Sequence, residues 1–487
     1  MRFLTVLFFL CAVQLLSAQT RFYKLYSGTG FDKGEDVLAL PDSSYLVAGS
    51  SGSWEENAQG FLMKIDSVGA YVWSHAYGAQ ESEEIKRVFH RPGMGYYLAG
   101  MSNSWINGNY DPMLIFTDLA GNQQWIKTYQ NPAWDRIHDG VMTADTGFVL
   151  VGERQATLGV EADVFVMRLD KNGDTLWTKT LGSAGTDRAN SVVRVSDSLY
   201  VVGGEWFVAD SSATKGFVMQ INDQGVVQWF DTLGHLSGDF VVLDLTPSLY
   251  GVQFAGYKSG PADYDKFSGS IGLDGVILTQ VVDNLVSDDI IQQFAYLPQQ
   301  DLTILGVQVL NDNTYQEPYD LYFAYADAYY GYWITGFPST TILNQGYDYI
   351  GNIRPTLDGG FIATGMNSVI VDGQNQLNGG SNVFILKVNG NGSAYVQTDT
   401  VFTTNQLVGL SPLFEGSNVL MFPNPVVSVL HFDWSGAVPK LIEIQDAMGH
   451  LLHRETITPS QTIDLGIWPQ GVYFVRIDGK TYPVVKH

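Results

Sequence analysis

Residues 135–182 read DRIHDGVMTADTGFVLVGERQATLGVEADVFVMRLDKNGDTLWTKTLG. Val149 and Val151, then Val164, Val166 and Arg168, alternate at the two-residue period of strands, and ADTG and DKNG carry the Asp, Asn and Gly chemistry of tight turns. The stretch is therefore strand, turn, strand, long loop, strand, turn, strand. Its apolar run ending in glycine returns along the chain as YLVAG at Gly49, YYLAG at Gly100, FVLVG at Gly152, YVVG at Gly203, FAG at Gly256, TILG at Gly306 and IATG at Gly365. The intervals are 51, 52, 51, 53, 50 and 59 residues. Seven repeats of short strands, with no comparable segment of helical period, predict an all-β fold: a seven-bladed β-propeller over residues 19–402.

The ends of the chain are written differently. MRFLTVLFFLCAVQLLSA has a basic start at Arg2, an apolar run and small residues at its close, which predicts a signal peptide over 1–18. The one cysteine, Cys11, falls inside it, so stability must come from a packed core rather than disulfides. With 50 acidic and 26 basic residues the formal charge is -24, which argues against nucleic acid as a partner. No later apolar run approaches the roughly 20 residues of a membrane-spanning helix, so the mature chain is expected to lack a transmembrane segment.

Trp73, Trp125, Trp177 and Trp229 each follow the glycine of a repeat's second turn by four residues. This phase is similar to the docking motif of quinoprotein-type propellers, in which a tryptophan locks adjacent blades, although the spacing is one residue shorter and no cofactor is implied. The first mature strand, RFYKLYSG from Arg21 to Gly28, has the character of a blade's fourth strand and would close the ring in the seventh sheet. Ala394 to Phe402 competes for that place.

A linker over 403–420 leads to a tail over 421–487 containing MFPNPVVSVLHFDW, LIEIQDAMGHLLHRETI and TIDLGIWPQGVYFVRIDG. Its alternating strands read as a small Ig-like β-sandwich. The tail resembles the type A sorting domain of the type IX secretion system of Bacteroidetes. Phe422, Pro423, Asn424 and Pro425 match its opening motif, Asp446 and Gly449 its central hairpin, and Gly471, Val472 and Tyr473 its last signature strand. The resemblance implies a partner, the type IX machinery, and delivery to the cell surface or the extracellular space, with attachment at the outer membrane or release after processing.

Between the second and third strands every repeat carries a long polar loop. Trp54, Trp105, Trp206, Tyr257, Tyr264, Tyr315 and Tyr319 are read as lying there, among Asn, Asp and Ser, and are the candidate ligand-binding residues for a glycan or protein. Asp32, Glu83, Asp135, Asp187, Asp239, Asp289 and Asp348 recur ahead of each innermost strand. They form either a cation site of coupled carboxylates or a set of acceptors, each serving its own turn. No metal spacing joins the histidines and no nucleophile elbow is present. An arginine cluster would have only Arg136 and Arg188 to draw on. The leading expectation is an exported binding or adhesion propeller. The alternatives are a polysaccharide-acting or other hydrolase using rim carboxylates, and a structural surface component.

Overall fold

The computed structural model describes residues 21–27, 30–53, 57–78, 81–104, 109–234, 237–260, 264–283, 288–299, 301–310, 320–327, 333–334, 348–367, 381–388, 404–406, 419–422, 429–434, 439–446, 450–458, 461–477 and 480–486. The chain divides into two compact units, Met1–Leu410 and Ser411–His487.

The first unit is built of seven sheets. Six are made of four consecutive antiparallel strands, as in blade 3, where Asp135–Met142, Phe148–Gln155, Ala162–Leu169 and Thr175–Leu181 lie side by side. The first strands of the blades are Asp32–Ala39, Glu83–Arg91, Asp135–Met142, Arg188–Arg194, Asp239–Ser248, Asp288–Leu297 and Tyr349–Pro355. Each packs against the first strands of its two neighbours, and the seventh returns to the first. The expected seven-bladed ring is therefore present, with the first strands at its centre.

Blade 7 is completed by Phe22–Ser27, which runs antiparallel to Asn382–Val388 with Tyr26 opposite Val383. Thr404–Gln406, within the expected linker, adds a short parallel strand outside it. Ala394 to Phe402 lies outside the described residues. Apolar clusters fill the clefts between sheets. Tyr26, Ile362 and Val383 of blade 7 meet Val37, Val47 and Phe61 of blade 1, and Tyr97 and Leu114 of blade 2 meet Ile137, Phe148 and Phe165 of blade 3.

Every first strand carries a β-bulge at one equivalent position, occupied by Glu35, Lys86, His138, Asn190, Leu243, Gln292 and Gly351. The bulge explains the glycine that marks the repeat. A side chain at Gly49, Gly100, Gly152, Gly204, Gly256 or Gly365 would overlap a backbone carbonyl of the facing first strand, just ahead of its bulge. In blade 4 the structural equivalent is Gly204, opposite Ala189, one residue beyond the Gly203 of the sequence alignment.

The four tryptophans dock as their phase implies. Each packs over the glycine of the next blade's second turn: Trp73 on Gly121, Trp125 on Gly173, Trp177 on Gly225 and Trp229 on Gly275. Those glycines sit at φ of 85°, 77°, 71° and 87°, so both their conformation and the ring above them exclude a side chain. Four residues further on, the Tyr77 and Tyr129 hydroxyls donate to the Gly121 and Gly173 carbonyls at 2.6 and 2.7 Å. Phe22 and Tyr26 of the closing strand repeat the device. Phe22 covers Gly69, and the Tyr26 hydroxyl donates to the Gly69 carbonyl at 2.6 Å.

The second unit has a three-stranded sheet (Val419–Phe422, Val429–Trp434, Gln461–Asp464) and a four-stranded sheet (Lys440–Gln445, Leu451–Ile457, Gly471–Ile477, Lys480–Lys486). Leu430, Phe432 and Ile463 of the first share one core with Ile442, Ile444 and Val475 of the second. This is the packing of a small sandwich.

Because Phe22 occupies a docking position, Phe22→Ala should destabilise the ring as Trp125→Ala does. Both rings are half-buried, so each substitution should cost about 2 kcal/mol, below the roughly 3–5 of a fully buried aromatic. Denaturant midpoints of the two variants check this; an unchanged Phe22→Ala midpoint would mean that the ring is closed by some other strand.

Candidate functional site

The bulge sorts the centre of the ring into three tiers. Strand alternation puts Lys33, Glu84, Arg136, Arg188, Val241, Ile290 and Tyr349 two residues ahead of the bulge, on the long-loop side. The bulge residues form the second tier. Directly after them come Asp36, Arg87, Asp139, Ser191, Asp244, Gln293 and Asn352. All seven bulge residues, together with Tyr257, Ile290 and Tyr349, line a cavity of about 290 Å³. The wall is charged or polar over blades 1 to 4 and largely apolar or aromatic over blades 5 to 7.

Two charge networks stand on the polar arc. In blades 1 and 2, Glu35 Oε1 lies 2.8 Å from both Lys33 Nζ and Lys86 Nζ, and Lys86 also pairs with Glu84 at 2.7 Å. Burial alone would raise the Glu35 carboxyl, but the two lysines outweigh it and hold it at about 2. Lys33 Nζ also lies 3.8 Å above the Tyr349 ring, and the Tyr349 hydroxyl donates to Glu35 Oε2 at 3.2 Å.

In blades 3 and 4, Arg188 donates from Nε to Glu153 at 2.6 Å and from Nη1 to Glu205 at 2.8 Å. Arg136 Nη1 and His138 Nε2 approach the same Glu153 oxygen at 3.7 and 3.6 Å, beyond hydrogen-bond reach. The Arg136 guanidinium rests over the Trp134 ring at 4.5 Å and near Tyr110 at 5.7 Å. Burial raises the Glu205 carboxyl despite Arg188. It also works against charge on Glu153, but the neighbouring His138 and Arg188 prevail and lower that carboxyl. Both arginine side chains are 42% exposed, whereas those of Glu153 and Glu205 are 1% and 15% exposed.

The third tier is a belt of hydrogen bonds joining every blade to the next. Asp36 accepts Val88 N–H at 3.0 Å, Arg87 donates to Asp139, and Asp139 accepts Val192 N–H at 2.8 Å. Ser191 Oγ lies 3.0 Å from both Asp139 and Asp244, and Asp244 accepts Phe294 N–H at 3.0 Å. Gln292, at the bulge, accepts Ile350 N–H at 2.8 Å, and Asn352 donates to Asp36 at 2.8 Å, which closes the circle.

Most of the acidic ring serves its own blades, while Asp239 and Asp289 accept from the third strand of the preceding blade. Asp32 accepts from Ser51 and Ser53, and Glu83 from Ser102 and Ser104. Arg154 and Asn131 donate to Asp135, Ser183 and the Phe207 N–H to Asp187, Lys266 to Asp289, and Asn367 to Asp348. Asp239 stands one residue out of phase, exposed, and accepts Thr214 N–H at 2.8 Å. Among the described residues no group of three or more His, Cys, Asp or Glu side chains is placed to hold a metal ion.

Of the candidate aromatics, Trp54, Trp105, Tyr315 and Tyr319 lie outside the described residues. Trp206 falls within the strand Leu199–Val208 rather than in a loop, and it packs edge-on against Phe217 and Phe230 at 6.0 and 4.9 Å. Tyr257 and Tyr264 also fall on strands, at the long-loop end of blade 5. They meet edge to face at 5.5 Å, and Tyr257 borders the cavity. Phe148 and Phe217, opposite in role, are buried core rings.

In the tail, Phe422 ends the first strand opposite His431, while Pro423, Asn424, Pro425 and Gly449 lie outside the described residues. Asp446 closes its hairpin by accepting the His450 N–H at 2.9 Å. Gly471 and Val472 open the strand in which Tyr473 is buried, its hydroxyl donating to the Pro469 carbonyl at 2.6 Å. Residues 420–487 match the family described as secretion system C-terminal sorting domain. The tail is thus similar to a type IX sorting domain. It marks the chain for export to the cell surface or the extracellular space.

No curated protein matches the chain. Among solved structures it is similar to the Neurospora crassa Pan2 WD40 domain, at 9% identity and a TM-score of 0.43 over 73% of this chain and 88% of that one. It is also similar to Sqt1 from Chaetomium thermophilum, at 10% identity and 0.38 over 75% and 98%. The Pyrococcus horikoshii acylaminoacyl peptidase gives 9% identity and 0.41 over 84% and 59%.

The belt has a pH signature. The Ser191 hydroxyl has one hydrogen, so it satisfies two carboxylates only if one of them carries a proton. Burial, with Asp139 nearby, pushes Asp244 up to about 6 against the pull of Phe294 N–H and Arg87. An unfolded Asp titrates near 4, so between those pH values the folded chain alone holds this proton, and stability rises as pH falls through the window. Relative to Asp244→Asn, the wild type should therefore gain on the order of 2–3 kcal/mol between pH 8 and pH 4. Urea midpoints at the two pH values measure the difference, and a pH-independent gap would show that Asp244 stays ionised.

Proposed function

We propose that the protein is an exported binding module whose ligand, a carbohydrate, seats in the mouth of the central channel. The observation that supports this reading is the 290 Å³ cavity to which every blade contributes its bulge residue. A bulge re-aims a side chain out of the sheet pattern, and here the re-aimed groups are a carboxylate, an ammonium, an imidazole and two amides. Amides and charges facing Tyr257, Tyr349 and Ile290 offer directional bonds to hydroxyls and an apolar wall for a sugar face. Tyr264, beside Tyr257, extends the wall outward. Trp54, Trp105, Tyr315 and Tyr319, in the sequence segments that connect second to third strands, belong to the same proposal.

A second reading is favoured by one observation: Glu205 is raised and Glu153 lowered, the divergence that a general acid and its partner carboxylate require. In that case the mouth hydrolyses a polysaccharide.

Both readings meet in one assay of the purified protein on a panel of glycans and peptides, scoring retention and product separately. Retention without product, weakened about tenfold or more by Tyr257→Ala at an unchanged melting temperature, supports the binding module. Product formation abolished by Glu205→Gln supports the hydrolase. Absence of both overturns the site. In cells, a chain lacking residues 420–487 should stay in the periplasm, and fractionation with an antibody to the propeller checks this; export of the shortened chain would separate secretion from the tail.

A further inference from the structure

The mouth presents charge in a way the composition does not suggest. The chain carries -24 overall, yet at the entrance the carboxylates of Glu35 and Glu153 lie beneath the cations, 4% and 1% exposed, while Lys33, Arg136 and Arg188 stand 28%, 42% and 42% exposed above them; the outer tier's own carboxylate, Glu84, is 31% exposed and paired with Lys86. The buried acids orient the cations without covering them. Two of these cations are engaged: Arg188 donates to two carboxylates, and Lys33 pairs with Glu35 while lying over Tyr349.

Arg136 differs. Its guanidinium is steered by the Trp134 and Tyr110 rings and by Glu153 at 3.7 Å, and among the described residues it donates no hydrogen bond. Contact with an aromatic face engages the guanidinium charge without using its N–H groups, and those form the fork that binds a carboxylate through two parallel bonds. It stands two residues ahead of His138 on the first strand of blade 3, one step outside the cavity that His138 lines together with Tyr257, Ile290 and Tyr349.

We infer that the mouth takes a hexuronate unit, a sugar whose ring lies along the Tyr257 and Ile290 wall and whose carboxylate is bound by Arg136. This rests on the binding reading above and adds the sign of the ligand. The cavity volume of about 290 Å³ accommodates one such unit. Approach of an anion to an acidic protein is opposed at long range, so the selectivity is short-range and comes from the fork.

The test is calorimetric titration of the whole mature protein with four probes: an oligogalacturonate, the neutral oligogalactose of the same length, an oligoglutamate and sodium acetate. Uronate binding stronger than neutral-sugar binding is expected. Arg136→Gln should reduce it about 10- to 100-fold, well beyond any loss of neutral-sugar affinity, at an unchanged melting temperature. Arg136→Lys, which keeps the charge and loses the fork, should restore only part of it. Equal binding of uronate and neutral sugar, or uronate binding indifferent to Arg136→Gln, overturns the anion assignment and leaves the carbohydrate site standing. Binding of oligoglutamate or acetate as tight as uronate replaces the sugar by any carboxylate. Failure of all four probes overturns both this inference and the carbohydrate reading on which it rests.

Discussion

The hydrogen-bonded belt from Asp36 through Arg87, Asp139, Ser191, Asp244 and Gln292 to Asn352 is the constraint on which the ring depends. It lies where seven first strands converge, too crowded for large apolar side chains, and of its tier only Gln293 Oε1 is buried without a hydrogen-bond partner. Each carboxylate accepts a backbone N–H from the following blade, so no blade is satisfied by its own sequence. Removing one partner strands its neighbour, and the cost passes to the next interface. The apolar clefts supply most of the cohesion, but they would tolerate small rotations of one sheet on another. The belt fixes the register.

The belt exists because each first strand is bulged, and the same bulge makes the site. One extra residue per blade turns a side chain into the channel and sets the next one into the belt, so binding and closure are adjacent tiers of a single backbone device. The scaffold repeats seven times while the inserted residue does not. Glu, Lys, His, Asn, Leu, Gln and Gly occupy equivalent positions, so the mouth is charged or polar over blades 1 to 4 and more apolar over blades 5 to 7. Symmetry supplies the geometry, and departure from it supplies the chemistry.

The propeller was legible because its strands, turns and glycines are local signals. Gly49, Gly100 and Gly152 mark the repeat in the sequence, and their reason is a carbonyl displaced by the facing bulge. The bulge itself was not legible, since it interrupts the alternation by which strands are recognised, and with it went the tiers: Glu35, Lys86 and His138 carry no common residue type. The recurring acids from Asp32 to Asp348 were found in phase but with their role open, because the donors that surround them come from the neighbouring second strands and loops. Trp206 looked like a loop ring in polar text; pairing with Lys215 carries the strand past it. The closing strand was left between two candidates, and only the partner edge decides.

That closing strand sets the order of assembly. Six sheets form from neighbouring strands and can zip as they emerge, whereas Phe22–Ser27 must wait for Asn382–Val388, near the far end of the propeller. A long loop closed late makes this step slow relative to the local hairpins. Until it occurs the strand Asn382–Val388 offers a bare edge, and the Phe22–Ser27 segment of a second molecule fits it as well as the chain's own. At high concentration the characteristic misassembly is therefore an exchanged dimer in which each ring is latched by the other's first strand.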